Sequence, residues 1–170
     1  MRRIRYAAAM SLDGYIAGPE GQSDWITMDP EIDFGAMLKE FDSVLVGRRT
    51  FEGMAQAGND SIPGMKFFVF SRTLTPSDYP KVTIVAEKPE EALTSLRRKS
   101  GKDIWLLGGG SLFRSLLNIG FVDTVEVTVI PILLGGGIPL LPPTATRTKL
   151  KLTGERVYKS GIVSLFYALR

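Results

Sequence analysis

A chain of 170 residues, 44% apolar and 23% charged, has the size and composition of one globular domain with a substantial core. It contains no cysteine and no histidine. That inventory excludes disulfides, thiol catalysis, serine–histidine triads and histidine-based zinc hydrolysis, and no metal site is read from it. The net charge of +3 suits an anionic small ligand and is too small to argue for nucleic acid.

The start, "MRRIRYAAAM", turns from basic to apolar, but Asp13 and Gly14 break the apolar stretch, so it reads as a first strand, Ile4 to Ala9, and not as a signal peptide. No apolar run approaches the ~18 residues of a membrane span, and a cytoplasmic location is expected. A loop rich in glycine and polar residues follows, from Ser11 to Ser23. The spacing of Ile32, Phe34, Met37, Leu38 and Phe41 predicts a helix over Pro30 to Phe41, with Asp29 as N-cap. Ser43 to Val46 is a short strand ending at Gly47, and Arg48 to about Met54 is a helix. Lys66 to Phe70 and the β-branched Lys81 to Ala86 are strands.

Pro89 to Lys99 is a helix with two glutamates in its first turn and "RRK" in its last, the order that complements a helix dipole. Asp103 to Leu107 is a strand, Ser111 to Asn118 a helix, and Thr124 to Ile130 a strand. "PILLGGGIPLLPP" is a long connection. Lys149 to Tyr158 and Ile162 to Leu169 read as a hairpin. The alternation predicts an α/β fold: a mostly parallel sheet, helices on both faces, and an antiparallel hairpin at one edge. No linker interrupts it, so residues 1–170 are expected to form one domain.

Three strand ends carry chemistry suited to anions. "LLGGGSLF" places Gly108, Gly109 and Gly110 between a strand and a helix starting near Ser111. Without Cβ atoms such a run lets a phosphate approach main-chain N–H groups, and the helix adds its free donors; the other reading is a tight turn. The run is neither the G-x-G-x-x-G fingerprint, since position 113 is Phe113, nor a Walker motif. "VLVGRRTFE" repeats the plan, with Arg48 and Thr50 at a helix start. "FFVFSRTL" ends a strand at Ser71 and Arg72, a seat for a phosphate monoester. The second glycine run, Gly135 to Gly137, lies between prolines and reads as a structural loop.

With "SLDGYIAG" near the start, "VGRRTFE" in the middle and "LLGGGSLF" beyond, the chain resembles the dihydrofolate reductase-like superfamily, in particular its branch containing the reductase domain of riboflavin biosynthesis. The resemblance implies a sheet of about eight strands, NADPH as cofactor, hydride transfer to a small heterocyclic substrate, and a homodimer. It implies that Ala9 and Ile16 meet the nicotinamide carboxamide through their backbone. Gly47, Arg48 and Thr50 would hold the phosphate end, Ser71 and Arg72 the adenosine 2′-phosphate, and Gly108, Gly109, Gly110, Ser111 and Leu112 the pyrophosphate.

On the substrate side four carboxylates are open as proton donor: Asp13, Asp24, Glu31 and Asp33. Asp13 also reads as an Asp-Gly turn and Glu31 as a first-turn helix residue, while Trp25 fits either a pocket wall or the core. A pyrimidine ribose phosphate is the expected substrate class. Dihydrofolate reduction and a non-catalytic NADP(H)-binding module are the alternatives.

Overall fold

A computed structural model describes residues 1–144 and 147–170. In chain order the strands are β1 (Ile4–Ser11), β2 (Tyr15–Ala17), β3 (Phe41–Gly47), β4 (Lys66–Phe70), β5 (Thr83–Val85), β6 (Asp103–Gly108), β7 (Thr124–Ile130), β8 (Ile138–Pro139), β9 (Leu150–Val157) and β10 (Val163–Leu169). The helices are α1 (Phe34–Leu38), α2 (Arg48–Gln56), α3 (Pro89–Arg98) and α4 (Gly110–Asn118). Eight strands form one sheet in the order β5-β4-β3-β6-β1-β7-β10-β9. The first six of that order are parallel, and β10 and β9 run antiparallel at the edge.

The period-two alternation of the central strands divides the core between two faces. Ile4, Tyr6, Leu45, Ile104 and Leu106 point one way, to meet Leu93 and Leu96 of α3 and Leu112, Phe113 and Leu116 of α4. The Tyr6 and Phe113 rings stack with centroids 3.8 Å apart. Val44, Val46, Phe67, Val69 and Trp105 point the other way, towards Phe51 of α2. The expected helices on both faces are therefore present. A smaller cluster of Ile130, Tyr158 and Ile162 packs with Ala9, Trp25, Ile26 and Ile32 and seats the segment before α1 on the β9–β10 turn.

Two expectations are corrected. The helix predicted over Pro30 to Phe41 is only α1, and its N-cap is Asp33, which accepts from the Ala36 N–H at 2.8 Å. Asp29 has other partners: it accepts from the N–H of Glu31 (2.8 Å) and of Ser160 (3.2 Å), tying this segment to the hairpin turn. Phe41, at the helical spacing, opens β3 instead. Tertiary pairing overrides the local period here. Also, the connections at Ser11–Ser23 and Pro131–Pro143 are not plain loops, because β2 and β8 pair across them as a separate two-stranded sheet. β7 lies between β1 and β10 with Val127 and Ile130 buried.

The amino ends of the parallel strands are fastened by ion pairs. Arg5 grips Glu126 with two bonds, 2.7 and 2.8 Å, and reaches Glu40, while its guanidinium lies 4.7 Å over the Phe41 ring. Arg2 joins Asp42 and donates to the Ser43 hydroxyl at 2.9 Å. Asp123 accepts from the Ile4 N–H at 2.7 Å and from Arg97 at 3.0 Å.

Candidate functional site

The carboxyl ends of β1, β3, β4 and β6 lie side by side, and the three anion-suited motifs sit on them. The β3–β6 register shifts between Leu45 and Val46, so that Val46 stands opposite Gly108. This sets Gly47 beside the Gly108–Gly109 peptide, which is cis. Each of these two strand ends opens a helix: Gly47 is the N-cap of α2 and Gly109 the N-cap of α4. Neither has a side-chain cap, in contrast to α1 with Asp33. The first-turn N–H groups of two neighbouring nine-residue helices are thus left without a capping side chain at one place, with the positive ends of both dipoles.

The glycines here have different reasons. Gly108 has φ +127°, a backbone that side chains rarely adopt. At Gly110 a Cβ would stand 2.7 Å from the carbonyl oxygen of Pro139, so the chain crossing from β8 requires glycine. Gly47 and Gly109 have φ of −79° and −82°, which any residue adopts. A Cβ on Gly47 would meet nothing closer than 3.6 Å, and one on Gly109 would come within 3.2 Å only of the Thr50 hydroxyl. Neither backbone conformation demands glycine at these two positions, and at Gly47 the packing of the chain does not either. The uncapped donors at the two helix starts have the chemistry of an anion site.

Arg48 and the end of β4 are brought together: the Arg48 guanidinium donates to the Thr73 hydroxyl at 3.3 Å. The buried Ser71 hydroxyl accepts from the N–H groups of Thr73 (3.1 Å) and Leu74 (3.0 Å), and so shapes the turn that presents Arg72. Arg72 lines a cleft of about 400 Å³ with Ala86, Glu87, Lys88 and Pro89. Sequence reasoning missed Lys88 and Thr73. Thr73 was within reach as the next residue of the "SRT" run, whereas Lys88 becomes a neighbour only through the β4–β5 pairing. Ser111 is exposed on the first turn of α4, and Leu112 is buried behind it.

Ala9 lies in β1 against β7, opposite Thr128, whose hydroxyl is 3.0 Å from that of Ser164. Ile16 lies in β2. The four carboxylates do not converge. Asp33 caps α1, Glu31 is exposed with the Lys159 ammonium 3.6 Å away, and Asp24 is exposed. Asp13 is exposed and accepts from the Ser11 hydroxyl (2.6 Å) and from the N–H groups of Leu134 (3.1 Å) and Gly135 (2.7 Å). These bonds, the Ser11 hydroxyl first, hold its carboxyl below the usual range. A proton donor near neutral pH needs the opposite shift.

An eight-stranded, mainly parallel sheet with antiparallel last strands and two glycine-capped helices at its carboxyl edge defines a dihydrofolate reductase-like fold. The solved structure of dihydrofolate reductase from Enterococcus faecalis, complexed with NADP(H) and RAB-propyl, superposes with a TM-score of 0.72 at 21% identity, covering 99% of this chain and 96% of that one. Within that class, the family model of the RibD C-terminal domain matches residues 2–164, and the chain belongs to that family. It is 35% identical to the uncharacterized protein YyaP of Bacillus subtilis strain 168, over 98% of this chain and 94% of YyaP. A crystal structure from Shewanella sp. PV-4, whose name places it in riboflavin biosynthesis, aligns over 99% of both chains with a TM-score of 0.85 and 27% identity. Among the described residues no helix is long and apolar enough to cross a membrane.

Proposed function

We propose that this chain is an NADPH-dependent reductase acting on a pyrimidine ribose phosphate or a related small heterocycle. The observation that carries the reading is the pair Gly47 and Gly109: two uncapped helix starts meet where neither backbone conformation calls for glycine. When bound, NADPH supplies a hydride from nicotinamide C4 to an electrophilic C=N or C=O carbon.

The N–H groups at the starts of α2 and α4, with Arg48, Thr50 and Ser111, receive the pyrophosphate. Arg72 and Lys88 receive the 2′-phosphate, with Ser71 holding the turn. Ala9 and Ile16 orient the carboxamide through their backbone. Membership of the RibD C-terminal domain family and the NADP(H) complex of the Enterococcus faecalis enzyme support this reading. No carboxylate is presented as proton donor, and on this reading water supplies the proton.

A second reading has an observation in its favour. Asp13, Asp24, Glu31 and Asp33 are exposed or engaged in the chain's own contacts, as expected of a module that binds NADP(H) without turnover. Turnover of a pyrimidine ribose phosphate or of dihydrofolate separates the two.

The test of the main reading is a titration with NADPH and with NADH, following Trp25 and Trp105 fluorescence. NADPH is expected to bind more tightly. Arg72→Ala removes a charged hydrogen-bond donor worth about 1.5–3 kcal/mol, roughly 10- to 150-fold in affinity. It should weaken NADPH and leave NADH unchanged. Binding of neither nucleotide overturns the proposal. A homodimer is proposed on the same likeness, and sedimentation velocity checks it.

A further inference from the structure

We propose that Asp13 is a positioning residue: its carboxylate clasps the first loop to the loop after β7 and thereby fixes the backbone of residues 14–17 against the nicotinamide end of the cofactor. This rests on the reductase reading above. The clasp joins segments 121 residues apart. Asp13 Oδ1 accepts from the Ser11 hydroxyl and the Leu134 N–H, and Oδ2 accepts from the Gly135 N–H at 2.7 Å. The same Ser11 oxygen accepts from the Tyr15 N–H at 3.0 Å, so one buried hydroxyl braces both the carboxylate and the start of β2.

Main-chain bonds flank the clasp on both sides. Leu12 donates to the Ile132 carbonyl and Leu140 to that of Gly14, each at 2.9 Å, and β2 pairs with β8. The second glycine run serves this junction. Gly135 takes φ +71° where its N–H meets Asp13. At Gly137 a Cβ would fall 2.2 Å from the Ala17 carbonyl oxygen. The motifs "SLDG" and "GGG" are two halves of one joint, and Ile16 sits on the strand that the joint holds. Both oxygens of the carboxylate are thus engaged as acceptors, two bonds on Oδ1 and one on Oδ2.

The experiment compares wild type with Asp13→Ala and Asp13→Asn by amide hydrogen exchange at Leu134, Gly135 and residues 14–17, by NADPH affinity, and by hydride transfer at saturating NADPH. In the alanine variant exchange at these amides should accelerate and NADPH should bind several-fold more weakly, with the melting temperature little changed and transfer at saturation largely retained. The asparagine variant keeps one acceptor oxygen and should fall between. Unchanged exchange at Leu134 and Gly135 overturns the clasp. Faster exchange with unchanged NADPH affinity overturns the positioning role. Lost transfer at saturation with unchanged affinity makes Asp13 the proton donor instead. If wild type binds neither nucleotide, the reductase reading and the positioning role fall together, while the exchange data still decide whether the clasp exists.

Discussion

At the amino ends of β1, β3, β6 and β7 the chain is fastened by side chains: Arg2, Arg5 and Arg97 against Asp42, Glu126, Glu40 and Asp123. At the carboxyl ends of the neighbouring strands it is arranged by main chain: glycine N-caps, a bulged register and a cis Gly108–Gly109 peptide. The first set uses charge to fix strands in place, and its groups satisfy one another. The second leaves donors at helix starts without side-chain caps, and on the reading proposed above a ligand complements them. An ion-paired end satisfies itself, whereas an uncapped end keeps donors for a ligand under the proposed function, although both are rich in polar groups.

The largest expected break in this comparison is at the foundation. Arg5→Leu strands Glu126, whose side chain is 12% exposed, and should cost about 3–5 kcal/mol in urea denaturation. The double variant with Glu126→Leu should recover much of that, because the buried Glu126 carboxylate is then no longer stranded, while Glu40 is exposed to water and Asp103 keeps Arg3. Next comes a pair of glycines at the binding surface. Gly110→Ala forces a Cβ to 2.7 Å from the Pro139 carbonyl and should cost about 1–3 kcal/mol of stability. Gly47→Ala has 3.6 Å of clearance and should cost at most about 1 kcal/mol in the fold, yet weaken NADPH by about tenfold or more. Equal losses of stability in the two variants would erase the distinction between a packing glycine and a ligand glycine.

The smallest effect is one of pH. The Ser160 hydroxyl first, then the Glu31 N–H, hold the Asp29 carboxyl below its ordinary value. A depressed folded pKa gives stability that is complete above the unfolded value, about 3.9, and is lost as pH falls through the folded one. Asp29→Asn should therefore melt below wild type at neutral pH, and the gap should close on acidification below about pH 4. A gap that stays constant with pH would mean that Asp29 acts through packing alone.

Much of the molecule was legible because the signals were local. The β-branched runs of β3 and β7, the charge order of α3, and the glycines between strand and helix are decided by neighbours a few residues away, and they predicted the parallel sheet and its anion-suited edge. The reading failed where the deciding partner was distant in the chain. Asp29 looked like an N-cap until Ser160 claimed its carboxylate. β2 and β8 are too short to be recognised separately and exist because they pair. The three glycines at 108–110 look alike in sequence, and only the fold assigns Gly108 to conformation and Gly110 to packing and leaves Gly109 as the uncapped N-cap of α4.

The sequence by itself therefore determined the order of the main elements and the class of fold, because hydrophobic period, turn residues and helix-end charges act over one or two turns of chain. Tertiary structure alone decided that Asp13 meets Leu134 and Gly135, that Lys88 joins Arg72, and that the carboxylates near α1 have no common focus. Such contacts depend on which strands become neighbours, and that is settled by packing the whole sheet.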